Sequence, residues 1–184
     1  MGLGCCLKGG ILKKLENKTM KKIYISGKIS DLDIDVAKDN FRRGVSMVEL
    51  MGKEAVNPFD VLPFKPEYTW RDYMKADIKA LMDCDGILML PDWIHSDGAT
   101  IEHNLAHSLF FEFIYTRYDG ESLILDRELS THNSFNKVDC IKEDIKNLMD
   151  EDTLTLAPHW DKFERGVILH YIAKKLQYEI IYPQ

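Results

Sequence analysis

No stretch of this chain approaches the run of about 18 apolar residues that a membrane-spanning helix requires. Cysteine is scarce. Only Cys5, Cys6, Cys84 and Cys140 occur in 184 residues, and none has zinc-knuckle spacing. Adjacent Cys5 and Cys6 make a poor disulfide pair, so reduced thiols and a cytoplasmic setting are expected. Basic charge is also short, with 24 Lys and Arg against 30 Asp and Glu and a net charge of −6. That balance argues against a dedicated nucleic-acid-binding face. It still admits a nucleotide as a small ligand, because a few local donors can hold one phosphate on an acidic protein. The N-terminal region is not expected to act as a signal peptide or myristoylation site. Its apolar stretch is short and glycine-rich, and Cys6 stands where a myristoylation motif needs Ser or Thr. Gly2, Gly4, Gly9 and Gly10 follow no strand and so form no phosphate loop. Residues 1–19 are read as an extension outside the fold, expected to be disordered.

What the chain does have is ordinary globular composition, 45% hydrophobic and 29% charged, which argues against disorder over most of its length. Strand and helix patterns alternate. Residues 22–27 read as a buried strand ending in a turn. A helix over 35–51 follows, with Phe41, Val45 and Val48 on one face and Gly52 ending it. A short strand over 54–57 closes at Pro58. A loop holding Pro58, Pro63 and Pro66 leads to a helix over 70–82. Residues 86–91 form a continuous apolar strand suited to a sheet covered on both faces. A polar loop over 92–97 precedes a helix that Gly98 opens, running to about Phe110. Residues 113–115 read as a fourth strand. This alternation predicts an α/β fold, a flavodoxin-like or Rossmann-like parallel sheet with helices on both faces. Ligands in such sheets sit at the carboxyl ends of the strands.

A partial internal duplication follows. Residues 75–115 align without gaps to residues 142–182 at a displacement of 67 positions. Lys75, Asp77, Ile78, Lys79, Leu81, Met82 and Asp83 recur as Lys142, Asp144, Ile145, Lys146, Leu148, Met149 and Asp150. Trp93, Ile101, His103 and Tyr115 recur as Trp160, Ile168, His170 and Tyr182. The reading is a domain over 20–118 and a degenerate helix–strand–helix–strand copy within 119–184. The copy lacks the first strand and helix, so it is expected to pack on the domain or on its dimer mate, joining the sheet or covering the cleft.

The segment Ser96-Asp97-Gly98-Ala99-Thr100-Ile101-Glu102 carries the strongest chemical signal. Gly98 allows close approach of backbone to a ligand, and Ser96 or Asp97 can cap the helix. Glu102 shares the apolar face with Leu105 and Leu109, near the positive helix end that favours its ionised form. A partly buried carboxylate there is a candidate nucleophile. By position alone, a solvated glutamate that merely complements the helix dipole competes with that role. Asp77 lies on a stripe with Trp70, Met74 and Leu81, where an acid needs a partner or a ligand. Binding loop amides is its competing role. Tyr24, at the end of the first strand, is either a core tyrosine or a hydroxyl that reaches the cleft. The copy keeps the Asp77 equivalent as Asp144 but places Phe163, Arg165 and Leu169 where the domain has Ser96, Gly98 and Glu102. It is therefore not read as a second site. His103 and His107 have helical i, i+4 spacing but no evident third ligand, so no metal is expected.

Tyr24-Ile-Ser-Gly27, Asn57-Pro58, Trp70 with Asp77, Cys84-Asp85 and Leu90-Pro91-x-Trp93-x-x-Ser96-x-Gly98-Ala99-x-x-Glu102 together resemble the nucleoside 2-deoxyribosyltransferase superfamily. That superfamily includes deoxynucleoside 5′-monophosphate N-glycosidases, and the likeness spans about residues 22–115. The resemblance implies Glu102 as nucleophile, with Tyr24 and Asp77 positioning it and the base. It implies that Ser26, Gly27, Ser96 and Gly98 hold a 5′-phosphate, with Asn57 and Trp70 also at the substrate. It further implies a homo-oligomer, because such proteins complete their sites with partner-subunit residues. No cofactor is expected, and the expected partner is a nucleoside or nucleotide. The expected activity is cleavage or transfer of the N-glycosidic bond of a 2′-deoxynucleoside or its 5′-monophosphate. The alternatives are a catalytically silent nucleotide-binding or sensing module and a phage-type interaction protein.

Overall fold

The computed structural model describes residues 21–119, 122–128 and 135–183. The expectation for residues 1–19, including Cys5 and Cys6, lies outside the described residues. Strand β1 (Lys22–Ser26) holds Ile23, Tyr24 and Ile25 fully buried, as expected of a strand covered on both faces. Helix α1 (Ile34–Leu50) starts at Asp33, whose side chain accepts from the Asp35 and Val36 N–H groups. Strand β2 (Glu54–Val56) follows. Helix α3 (Trp70–Met82) opens with a reciprocal capping box between Thr69 and Asp72. Strand β3 (Gly86–Met89) is fully buried. A 3₁₀ turn over Trp93–His95 leads to helix α4 (Asp97–Ser108), and strand β4 spans Glu112–Asp119.

The strands align in the order β2-β1-β3-β4-β5, where β5 is Ser122–Glu128. The first four are parallel, and β5 returns antiparallel beside β4. The fold is the flavodoxin-like or Rossmann-like α/β sheet that the alternation predicts. The connection from β1 runs to β2 on one side and the one from β2 crosses to β3 on the other, so the carboxyl ends of β1 and β3 flank the switch point. The alternation of strand side chains divides the core in two. Ile23, Ile25, Leu88 and Ile114 pack with Phe41 and Val48 of α1. Tyr24, Ile87, Met89 and Phe113 pack with Ile78 and Leu81 of α3 and with Ile101 and Leu105 of α4.

Three local features differ from the sequence reading. Pro58–Val61 forms a short helix, α2, inside the proline-rich loop, because Pro at its first position suits a helix start. The α4 helix begins at Asp97, one residue before Gly98. The main sheet continues past residue 118 into β5, so the first unit extends at least to Glu128.

The duplication is structural. Helix α5 (Phe135–Met149), strand β6 (Thr153–Thr155), a turn over Trp160–Lys162, helix α6 (Glu164–Lys175) and strand β7 (Glu179–Ile181) repeat the elements from α3 to β4. Asp92 and His159, which precede the two turns, share a left-handed φ of 62°. The copy does not join the main sheet: β6 and β7 form a separate parallel pair. Its apolar helix faces meet α3 and α4 instead. Ile141, Ile145, Leu148, Ile172 and Leu176 lie in the same core as Ile78, Leu81, Leu105 and Leu109. Burying each such side chain is worth about 1.5–3 kcal/mol, and this helical layer satisfies the copy without strand pairing. Among the described residues no helix is long and apolar enough to cross a membrane.

Candidate active site

Two-residue spacing on β1 puts the Tyr24 and Ser26 side chains on one face of the sheet. Both reach Glu102. The Tyr24 hydroxyl donates to Glu102 Oε1 at 2.8 Å, and the Ser26 hydroxyl donates to Oε2 at 2.5 Å. Glu102 is 5% exposed, and Leu105 and Leu109 on its face are also buried, which rules out the solvated first-turn role. Ser96 caps α4, its hydroxyl accepting the Ala99 N–H at 3.3 Å. Among the described residues no Lys, Arg or His pairs with Glu102.

Burial pushes the Glu102 carboxyl up to about 7, while the hydrogen bonds from Ser26 and Tyr24 pull in the opposite direction. Asp77, on α3, is pushed up to about 8, first by burial and then by the Glu102 charge. The Tyr24 hydroxyl opposes that rise less strongly, its proton being already directed at Glu102. Tyr24 itself is raised well above its ordinary value, by burial and then by Asp77 and Glu102. The two carboxyl groups thus hold one proton between them near neutrality, which is the pattern of like charges sharing a dry site. The two hydroxyl donors favour Glu102 as the ionised member.

A second buried acid shows what this site lacks. Glu112 is also 5% exposed, and burial acts on it in the same upward direction. Lys53 at 2.5 Å and Lys21 at 3.2 Å outweigh that and hold it below the usual carboxylate range. Glu112 is a neutralised structural acid, whereas among the described residues Glu102 is bound by two hydroxyl donors and by no cation.

The remaining residues singled out from sequence divide. Ser26 acts on Glu102 directly, a stronger link to the carboxylate than phosphate holding alone implies. Gly27 packs tightly: a Cβ there would fall 2.9 Å from Leu90 side-chain atoms. Gly98 lies under α3, where an added Cβ would be 3.0 Å from Met74 Sδ. Asn57 caps α2, its Oδ1 accepting the Phe59 N–H at 3.2 Å. Trp70 begins α3 and is 45% exposed. His103 stacks on Trp93 at 4.3 Å and hydrogen-bonds the Tyr115 hydroxyl at 3.1 Å. Among the described residues no group of three His, Cys, Asp or Glu side chains is placed to hold a metal.

Sequence reasoning missed a cleft of about 280 Å³ lined by Lys28, Leu32, Asn40, Leu90, Pro91, Asp92 and His95. It lies at the carboxyl ends of β1 and β3 on the α1 side, whereas Glu102 is on the α4 side. Lys28 directly after Ser26-Gly27 was the available signal.

Fold and site define an α/β protein with a hydroxyl-bound carboxylate buried beside the carboxyl end of its first strand. Residues 21–115 match the family described as Domain of unknown function (DUF4406), and the chain belongs to that family. No curated protein and no solved structure matches it.

Proposed function

We propose that this chain is an enzyme that cleaves or transfers the N-glycosidic bond of a 2′-deoxynucleoside or its 5′-monophosphate, through a glycosyl ester on Glu102. The observation that carries this reading is the buried Glu102 carboxylate with one hydroxyl donor on each oxygen. Each oxygen retains a lone pair. Attack on the anomeric carbon forms a C–O bond as the C–N bond to the base breaks, through an oxocarbenium-like state that nearby carboxylate charge stabilises. The leaving base takes the bonding pair and needs a proton. Asp77, which retains its proton through neutrality, supplies it. Water or an acceptor nucleoside then releases the sugar from Glu102. On this reading the hydroxyl of Ser26 and the N-terminal turn of α4 at Ser96 and Gly98 receive a 5′-phosphate. The chemistry calls for neither metal nor cofactor, and the setting is cytoplasmic.

A panel of 2′-deoxynucleosides and their monophosphates, followed chromatographically for free base, tests the proposal. Release from at least one, lost in Glu102→Gln, is expected. No release from any substrate overturns it. A silent nucleotide-binding module is the second reading. It is favoured by the cleft at Lys28 and His95, which leaves Glu102 outside its lining. Saturable nucleotide binding without base release would establish it.

A further inference from the structure

We infer that the face formed by α3 and α4 is a self-recognition surface for a second copy of the α3–β4 unit, and that residues 135–183 fill it within the same chain as a built-in pseudo-symmetric dimer. The paired contacts carry this. Lys75 Nζ donates to the Glu151 carbonyl at 2.8 Å, and Lys142 Nζ donates to the Cys84 carbonyl at 2.7 Å. Lys79 pairs with Asp150, and Lys146 with Asp83. The Lys75 ammonium lies 5.2 Å from the Tyr178 ring, and that of Lys142 lies 4.3 Å from the Phe111 ring. In all three cases a displacement of 67 positions converts each partner of one contact into a partner of the other. The Asn104 amide donates to the Tyr171 hydroxyl at 2.9 Å, and these two positions are each other's equivalents.

A copy docked at random on its parent has no reason to reciprocate. If residue i meets the equivalent of j, only a twofold relation makes the equivalent of i meet j, and only an axis brings a position onto its own equivalent. The apolar layer follows the same rule, with Ile78, Leu81 and Leu105 sharing one core with Ile145, Leu148 and Ile172. The chain therefore supplies both halves of an isologous interface, with a complete carboxylate site in only one. Association of whole chains must use another face. The inference is independent of what Glu102 does.

Zero-length carbodiimide cross-linking of the unsubstituted full-length protein tests it, with products separated by mass on denaturing gels and mapped by peptide mass. The expected result is two links, Lys79–Asp150 and Lys146–Asp83, both in the one-chain band and unaffected by dilution. The exposed Lys22–Glu54 pair, 2.9 Å apart, is the control for reactivity. Links confined to a two-chain band overturn filling in cis, and one link without its mate overturns the twofold relation. Ile145→Asp, which undocks the copy, is expected to double the mass by light scattering as the bared faces pair. A helical one-chain species overturns self-recognition. A precipitated variant leaves the decision to the native links: both lie within one chain, or the inference falls.

Discussion

The two copies of the helix–strand–helix–strand unit share a backbone and differ in what they can do. Both pack a tryptophan ring against a histidine that bonds a tyrosine hydroxyl: Trp93, His103 and Tyr115 in one, Trp160, His170 and Tyr182 in the other. Retention of that set without any site marks it as architecture, and it removes His103 from the candidates for chemistry. At the site positions the copies part. The first has Gly98 and Glu102, with the Glu102 charge acting on Asp77. The second has Arg165 and Leu169, and its Asp144 pairs with the Arg165 guanidinium, Oδ1 accepting a hydrogen bond at 2.7 Å and Oδ2 lying 2.5 Å from Nε. An acid at this position of the helix has two outcomes. It is neutralised by an arginine, or, without one, burial and then a second carboxylate raise its affinity for a proton.

The largest effect expected on that contrast comes from Glu102→Gln. An amide cannot form the glycosyl ester, so base release should fall at least about a thousandfold, with the circular dichroism spectrum unchanged. Gly98→Arg comes next, because it makes the first copy resemble the second. The new guanidinium is expected to pair with Asp77 and draw off its proton, lowering turnover by about a hundredfold or more. The added Cβ requires Met74 Sδ, 3.0 Å away, to give by a few tenths of an ångström, which its flexible side chain allows. Undiminished turnover in Gly98→Arg would mean that the space beside Asp77 is not used.

Much of this contrast is legible in the sequence. The 67-residue displacement and the loss of Ser96, Gly98 and Glu102 in the copy follow from register, and helical periodicity places Glu102 on the face of Leu105 and Leu109; that it is buried rather than solvated needed the fold. Strand β5 does not. Its segment, Ser-Leu-Ile-Leu-Asp-Arg-Glu, reads as a strand only once β4 offers an edge, and antiparallel return breaks the βαβ rhythm. The direct bond from Ser26 to Glu102 was hidden because 76 positions separate them and only the fold brings them together. The docking of the copy was hidden for a related reason. A single helix pattern shows which face is apolar but not which other face covers it.

Asp77→Asn is expected to act on rate and on stability with opposite signs. Turnover should fall by about 10- to 100-fold. In the wild type, kcat/KM should follow a narrow bell, rising as Glu102 ionises near 7 and falling as Asp77 loses its proton near 8. The variant should lose the alkaline limb. For stability, the Asp77 carboxyl binds its proton more tightly folded than unfolded. Its stabilising contribution is complete below about 4 and is lost as pH rises through about 8. Asn carries no such loss, so the variant should match the wild type near pH 4 and exceed it by a few kcal/mol at pH 9. Denaturant melts at the two pH values measure this. Lower stability at both would make Asp77 a structural acid.

The smallest effect, and the sharpest test of the contrast, is Asp144→Asn. Asp144 occupies the position in α5 that Asp77 occupies in α3, yet its partner is a cation. The pair is partly exposed, with side chains 59% accessible for Arg165 and 20% for Asp144. Solvent screening limits such a pair to roughly 0.2–1 kcal/mol. The substitution removes one charge and leaves Arg165 free to turn to water, so a loss of that size is expected near pH 8, shrinking in high salt. Base release should be unchanged, because the copy has no counterpart of Tyr24 or Ser26. The same Asp-to-Asn change should therefore stabilise the first copy at alkaline pH and destabilise the second. If Asp144→Asn instead gains stability as pH rises, Arg165 does not neutralise its acid. The difference between the copies would then not lie in what replaced Gly98.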